Sequence, residues 1–259
     1  MLACNDIRPA DEPFDDVLDD FVTSLLTAID PCIRFRKAIG VPDPWQRDVL
    51  EAKDPFVVVL ASRQIGKSTA IACLAWAAFC DGKQALIAAP SERQSKELLR
   101  RVHEFRLADP NAPIIIRSNL TELEGANGGR VVCVPATDQA RGFTVDLLIL
   151  DEAAFLPDDA IAALLPMRTA DGRVLMISTP RGRGGFFFDT WESGKVRRFF
   201  ARSVDTPRLA NKVEFDRTYM SSIRFAQEHE CRFLGGGMPL ISADVLDASV
   251  TASRGALSL

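Results

Sequence analysis

The chain has 259 residues, of which 47% are hydrophobic and 25% charged, with a formal charge of -4 at neutral pH. That is globular material, long enough for one large α/β domain and a small appendage, and too apolar for a disordered polymer. The longest apolar run, residues 70–80, is shorter than the roughly 18 residues of a membrane span, and the opening MLACNDIRPADEPFDD lacks the basic and apolar regions of a signal peptide. The expectation is a soluble cytoplasmic protein without membrane contact.

The charge is unevenly spread. Residues 1–30 carry eight acids against Arg8, leaving 27 acids and 30 bases for the rest, a mildly basic body compatible with DNA contact. The six cysteines form no C-x-x-C pair and only His103 and His229 accompany them, so reduced, mostly buried thiols are expected.

In chain order, an acidic leader and helical lead-in (1–40) precede a domain over 41–210, followed by a helical linker and tail (211–259). FVVVLA (56–61) reads as a central strand buried on both faces, and KSTAIACLAWAAFC (67–80) as a buried helix that follows it. QALIAAP (84–90) is a second strand, and SERQSKELLRRVHEF a helix capped by Ser91. Short strands and a hairpin turning at Asn127-Gly128-Gly129 come next, then two buried strands, VDLLILDE (145–152) and GRVLMISTP (172–180). From about Asn211 the pattern predicts one long helix, VEFDRTYMSSIRFAQEHECRFL. Alternation of strands and helices predicts a mostly parallel sheet flanked by helices, with ligands at the strands' carboxyl ends.

ASRQIGKST (61–69) departs from the phosphate-loop pattern G-x-x-x-x-G-K-[ST] by placing Ala61 first, with Arg63 and Gln64 where small residues are usual. Ala61 is tolerable provided its φ is negative. Position makes the stretch informative. Between a buried strand and a helix, the backbone N–H groups of residues 62–69 face an anion, with Ser62, Arg63, Gln64, Gly66 and Thr69 lining it; Lys67 reaches the terminal phosphates and Ser68 serves Mg²⁺. An ordinary strand-to-helix turn with an exposed lysine is the plainer alternative. Such a loop needs a metal-holding carboxylate on a neighbouring strand, and LLILDE supplies Asp151, with Glu152 placed to orient or deprotonate the attacking water. Ser178 and Thr179 end the next strand, where they suit sensing of the γ-phosphate, or form a simple turn before proline. In PDPWQRDVL, Gln46 can pair with an adenine edge with Trp45 beside it, or the stretch merely starts a helix.

Taken together, PWQ, ASRQIGKST, NGGRVVCVPATDQARGFTVDLLILDEAAF with its Arg141-Gly142 pair, ISTPRGRGGFFF and FAQEHECRFLG resemble the ATPase domain of the large terminase subunit of tailed phages and prophages, over roughly residues 40–240. The resemblance implies a RecA-like P-loop core that hydrolyses ATP with Mg²⁺ to translocate and package double-stranded DNA. It also implies a portal protein and a small terminase subunit as partners, a ring homo-oligomer on the portal, and Arg63 as an arginine finger. The alternatives are a superfamily-two helicase-like ATPase and an inactive prophage remnant. Nuclease activity is not expected, since after Leu234 only Asp244 and Asp247 are acidic.

Overall fold

The computed structural model describes residues 22, 25–27, 30–137 and 142–235. Most of the expected leader, together with Arg141, Asp244 and Asp247, lies outside these residues. Among the described residues one eight-stranded sheet has the order β3-β4-β5-β2-β6-β7-β1-β8. Its strands are β1 (Phe56–Ala61), β2 (Gln84–Ala89), β3 (Ile115–Ser118), β4 (Glu122–Gly125), β5 (Arg130–Pro135), β6 (Val145–Asp151), β7 (Arg168–Ser178) and β8 (Arg197–Ala201). All pairings from β5 across to β8 are parallel; β3, β4 and β5 pair antiparallel. The mostly parallel sheet is thus as expected.

The helices are α1 (Pro31–Ala38), α2 (Pro44–Glu51), α3 (Lys67–Cys80), α4 (Glu92–Ala108), α5 (Asp158–Leu164), α6 (Phe186–Ser193), α7 (Ala210–Tyr219) and α8 (Ser222–Glu228). β1 shows why its run is continuously apolar. Val57, Val59 and Ala61 join the core with α1 to α4, while Val58 and Leu60 face the opposite core with α5 and Phe187 of α6. α3 is apolar all round because it lies under α1, α2 and α4 as well as on the sheet. Its Trp76 and Phe79 are fully buried and stacked at 5.0 Å; each such side chain contributes about 1.5–3 kcal/mol.

α1 is anchored by a buried ion pair, Arg34 to Asp109 at 2.7 Å, and Asp109 also accepts from the Trp76 indole at 3.1 Å. Ser91 caps α4 as expected, accepting from the Gln94 N–H at 3.3 Å. The β4–β5 hairpin turns at Asn127-Gly128-Gly129, and the Asn127 amide donates to the Phe79 and Cys80 carbonyls at the end of α3. Gly129 is required there, because a Cβ would collide with the Phe79 carbonyl.

Two expectations are corrected. The long helix after Asn211 is two helices: Met220 is extended, and Ser221 starts α8 by accepting from the Arg224 N–H at 3.4 Å. A serine that caps a new helix outcompetes continuation of the old one. Second, the strand carrying Asp151 is not the immediate neighbour of the strand before the P-loop, since β7 lies between β6 and β1. The cysteines described, Cys32, Cys73, Cys80, Cys133 and Cys231, are all free thiols. No helix among the described residues is long and apolar enough to cross a membrane.

Candidate nucleotide site

β1 ends at Ala61, paired with Ala201 of β8, and the chain turns through residues 62–66 into α3. Ala61 is absent from the positive-φ positions, which explains why glycine is dispensable there, whereas Gly66 sits at φ +97° as the N-cap of α3. A β-carbon at Gly66 would also press on the Gln46 amide, 2.8 Å away. No side chain caps this helix, so its first-turn N–H groups remain available to an anion. Lys67 is 6% exposed, and its ammonium donates to the Ser62 carbonyl at 3.3 Å while lying 3.2 Å from Glu152 Oε1. Ser68 and Thr69 follow in the first turn of α3.

At the facing corner, β6 delivers Asp151 and Glu152. Asp151 is buried, and its Oδ1 has no hydrogen-bond partner. Burial first, and the neighbouring Glu152 carboxylate second, push its pKa up to about 7, with Lys67 partly opposing them. Glu152 is held in the left-handed region at φ 47°, a posture that costs about 1 kcal/mol or more in a residue with a side chain. Its Oε2 accepts from Ser178 Oγ (3.4 Å), Thr179 N (3.3 Å) and Thr179 Oγ1 (3.2 Å). Because β7 lies between β6 and β1, its polar end stands between the acids and the loop. Lys67, Asp151, Glu152, Ser178 and Thr179 therefore form one cluster.

A family model, curated relatives and solved structures of phage large terminases match this chain. The sequence model described as "Terminase large subunit, T4likevirus-type, N-terminal" matches residues 58–244. The chain belongs to the terminase large-subunit family. It is 30% identical over 164 residues to the large terminase subunit of Thermus phage G20c, an alignment covering 54% of this chain and 32% of that protein. Among solved structures, the ATPase domain of the Thermus phage P74-26 large terminase is 25% identical with a TM-score of 0.64, covering 80% of this chain and all of that one. The large terminase of the thermophilic bacteriophage D6E, solved in complex with ADP, has a TM-score of 0.55 at 12% identity, covering 77% of this chain and 52% of that one. The fold is the RecA-like core expected of terminase ATPase domains. This chain spans about a third of the length of the curated terminases it matches.

Several side chains expected at the nucleotide have partners within the protein. The buried Ser62 hydroxyl donates to the His229 carbonyl at 2.8 Å, accepts from the Ser203 N–H at 2.9 Å and contacts Cys231 Sγ at 3.2 Å. Arg63, largely exposed, is ion-paired with Glu228 at 3.3 Å, and its N–H donates to the Glu228 carbonyl. Gln64 has φ 56° and, with Arg63, borders a groove of about 520 Å³ against α7 and α8. Gln46 is buried, its amide donating to the Gly66 carbonyl at 3.2 Å and accepting from the Asp43 N–H at 2.9 Å. Trp45 is buried with its indole N–H unpartnered.

Residues that sequence reasoning missed complete the brace. Arg208 donates to the Ile65 carbonyl at 2.8 Å and pairs with Asp43 at 2.6 Å. His229 is buried between Ser203 Oγ (2.8 Å from Nδ1) and Asp216 Oδ2 (3.1 Å from Nε2), and burial lowers its pKa. These partners lie over 140 residues from the loop, and no local pattern marks them.

Asp151 suits a metal ion by its unsatisfied buried oxygen, with Ser68 at the start of α3. Among the described residues no group of three or more His, Cys, Asp or Glu forms a metal cage, so an ion held by these two residues would need its remaining ligands from outside the protein.

Proposed function

We propose that this chain binds Mg-ATP at residues 62–69 and hydrolyses it to move double-stranded DNA during phage packaging. The observation that carries this reading is the juxtaposition of Lys67, at an uncapped helix N-terminus, with the Asp151–Glu152 corner. The ATPase domain of the P74-26 large terminase, similar over four-fifths of this chain, supports it, as does the ADP complex of the D6E protein.

Lys67 neutralises the β and γ phosphates, which compete with Glu152 for its ammonium. Glu152 Oε1 is thereby released while Oε2 stays held by Ser178 and Thr179, so the carboxylate is oriented to accept a proton from the attacking water. Ser68 and Asp151 would hold Mg²⁺, which when bound would supply charge neutralisation at the phosphates. Ser178 and Thr179 report loss of the γ-phosphate through the same carboxylate. Arg63 serves the transition state on leaving Glu228, and Gln46 and Trp45 border the adenine. A ring of copies on a portal protein, with a small terminase subunit, is the assembly in which this turnover does work.

The test is Glu152→Gln. It should retain ATP binding and slow phosphate release by about 10²-fold or more, with or without duplex DNA. Turnover at the parent rate would assign the base elsewhere.

A further inference from the structure

The segment from Arg181 to Arg202, RGRGGFFFDTWESGKVRRFFAR, holds six cations against two acids in a chain of net charge -4. Its second half forms β8, an edge strand paired only with β1. Alternation sends Phe199 and Ala201 into the core and leaves Arg198 and Phe200 exposed, with Arg202 partly so.

On that outward face the side chains stack in series with Trp191 of α6. The Arg198 guanidinium lies over the Trp191 ring (5.4 Å), Trp191 packs on Phe200 (6.2 Å), and Arg202 lies over Phe200 (5.6 Å). Arg198 donates to the Trp191 carbonyl at 2.9 Å and Asp205 holds Arg202 at 2.6 Å. Arg197, exposed, lies over the Phe199 ring at 4.9 Å, and Lys195 is exposed beside it. Among the described residues Lys195, Arg197 and Arg198 form no ion pair. The opposite edge of the sheet differs: Arg117 lies within 4 Å of both Glu122 and Glu124, and Arg130 pairs with Glu122 at 2.7 Å.

A guanidinium stacked on a ring has its face covered and little rotamer entropy left to lose, and Arg197 and Arg198 both keep in-plane donors available, Arg198 having committed Nη1 to the Trp191 carbonyl. Two such groups and a lysine on a rigid edge suit a row of phosphates, not a carboxylate pocket. We propose that the β8 edge, through Lys195, Arg197 and Arg198, grips the phosphate backbone of duplex DNA without reading its sequence. This rests on the reading of the chain as a DNA-translocating terminase motor, and adds to it the surface that touches the DNA.

The probe is a fluorescent duplex of about 30 base pairs of arbitrary sequence, titrated by anisotropy across a salt series. The double variant Arg197→Glu/Arg198→Glu should lose about tenfold or more in affinity, and the slope of log affinity against log salt should flatten by about 1–2. Arg36→Glu/Lys37→Glu, the same charge change at the exposed end of α1, should keep most of both. Arg197→Gln/Arg198→Gln, milder to the fold, should show the same trend, with circular dichroism confirming that each variant is folded. Unchanged affinity and slope in the β8 variants, while the parent binds, would overturn the grip and leave the motor reading standing; the arginines would then only guard a free strand edge against pairing. Equal losses in the α1 control would also overturn it, by tracing binding to total charge. A parent chain that binds no duplex would overturn both.

Discussion

The two halves of the candidate nucleotide site are held in opposite ways. The loop between β1 and α3 is satisfied from behind: Ser62 by Ser203 and His229, Arg63 by Glu228, Ile65 by Arg208 and Gly66 by Gln46. The acidic corner is satisfied only in part: Glu152, in a left-handed backbone, is held by Ser178, Thr179 and Lys67, but Asp151 Oδ1 is unpartnered in the interior. A loop braced by its own protein is preorganised and costs little to present to phosphate. A corner with uncompensated charge gains when a cation arrives. The site thus keeps shape on one side and electrostatic tension on the other.

The largest effect that would break this contrast is at Lys67, the group shared by both halves. Lys67→Ala should abolish measurable Mg-ATP binding in calorimetry, since it removes the main charge partner of the phosphates; unchanged affinity would refute the phosphate-loop assignment. Asp151→Asn should stabilise the nucleotide-free chain. With the folded pKa raised to about 7 from 3.8, the native state binds a proton more tightly than the unfolded chain, so parent stability falls as pH rises through that interval and is lowest above it. The variant should lack this slope and gain on the order of 1–3 kcal/mol at about pH 8 in denaturant unfolding, while Mg-ATP protects it less than the parent. A variant less stable than the parent at that pH would mean that Asp151 is compensated in a way its geometry does not show.

Ser62→Ala sharpens the other side. Removing the hydroxyl leaves the Ser203 N–H and one lone pair of the His229 carbonyl unsatisfied, at about 1–3 kcal/mol. Because that hydroxyl faces the brace, ATP affinity at saturating stability should fall far less than in Lys67→Ala. If affinity fell as steeply, Ser62 would be a phosphate ligand rather than a brace.

The chain order of motifs was enough to expect a mostly parallel sheet and to single out the loop before α3 and the acids ending β6, which the fold brings together at Lys67 and Glu152, because each rests on local signals: an apolar strand, a glycine-lysine turn, acids after aliphatics. Ala61 in place of glycine was legible for the same reason, since the last residue of a strand has negative φ. The single helix expected after Asn211 failed locally too, at Ser221, where a cap outcompetes continuation. The roles of Ser62, Arg63 and Gln46 were decided elsewhere. His229 and Glu228, the partners of Ser62 and Arg63, come into reach only when the segment after β8 folds back against the loop, and Gln46 meets the Gly66 carbonyl only when the helix before β1 packs on the turn after it; hydrogen-bond partners distant in sequence leave no periodic trace. The insertion of β7 between β6 and β1, which sets Ser178 and Thr179 against Glu152, is a property of sheet order. The sequence by itself determined which residues carry charge at the strand ends; only the tertiary structure decided which polar groups are satisfied within the protein and which, like Asp151 Oδ1, are left without a partner, because those partners come from segments distant in the chain.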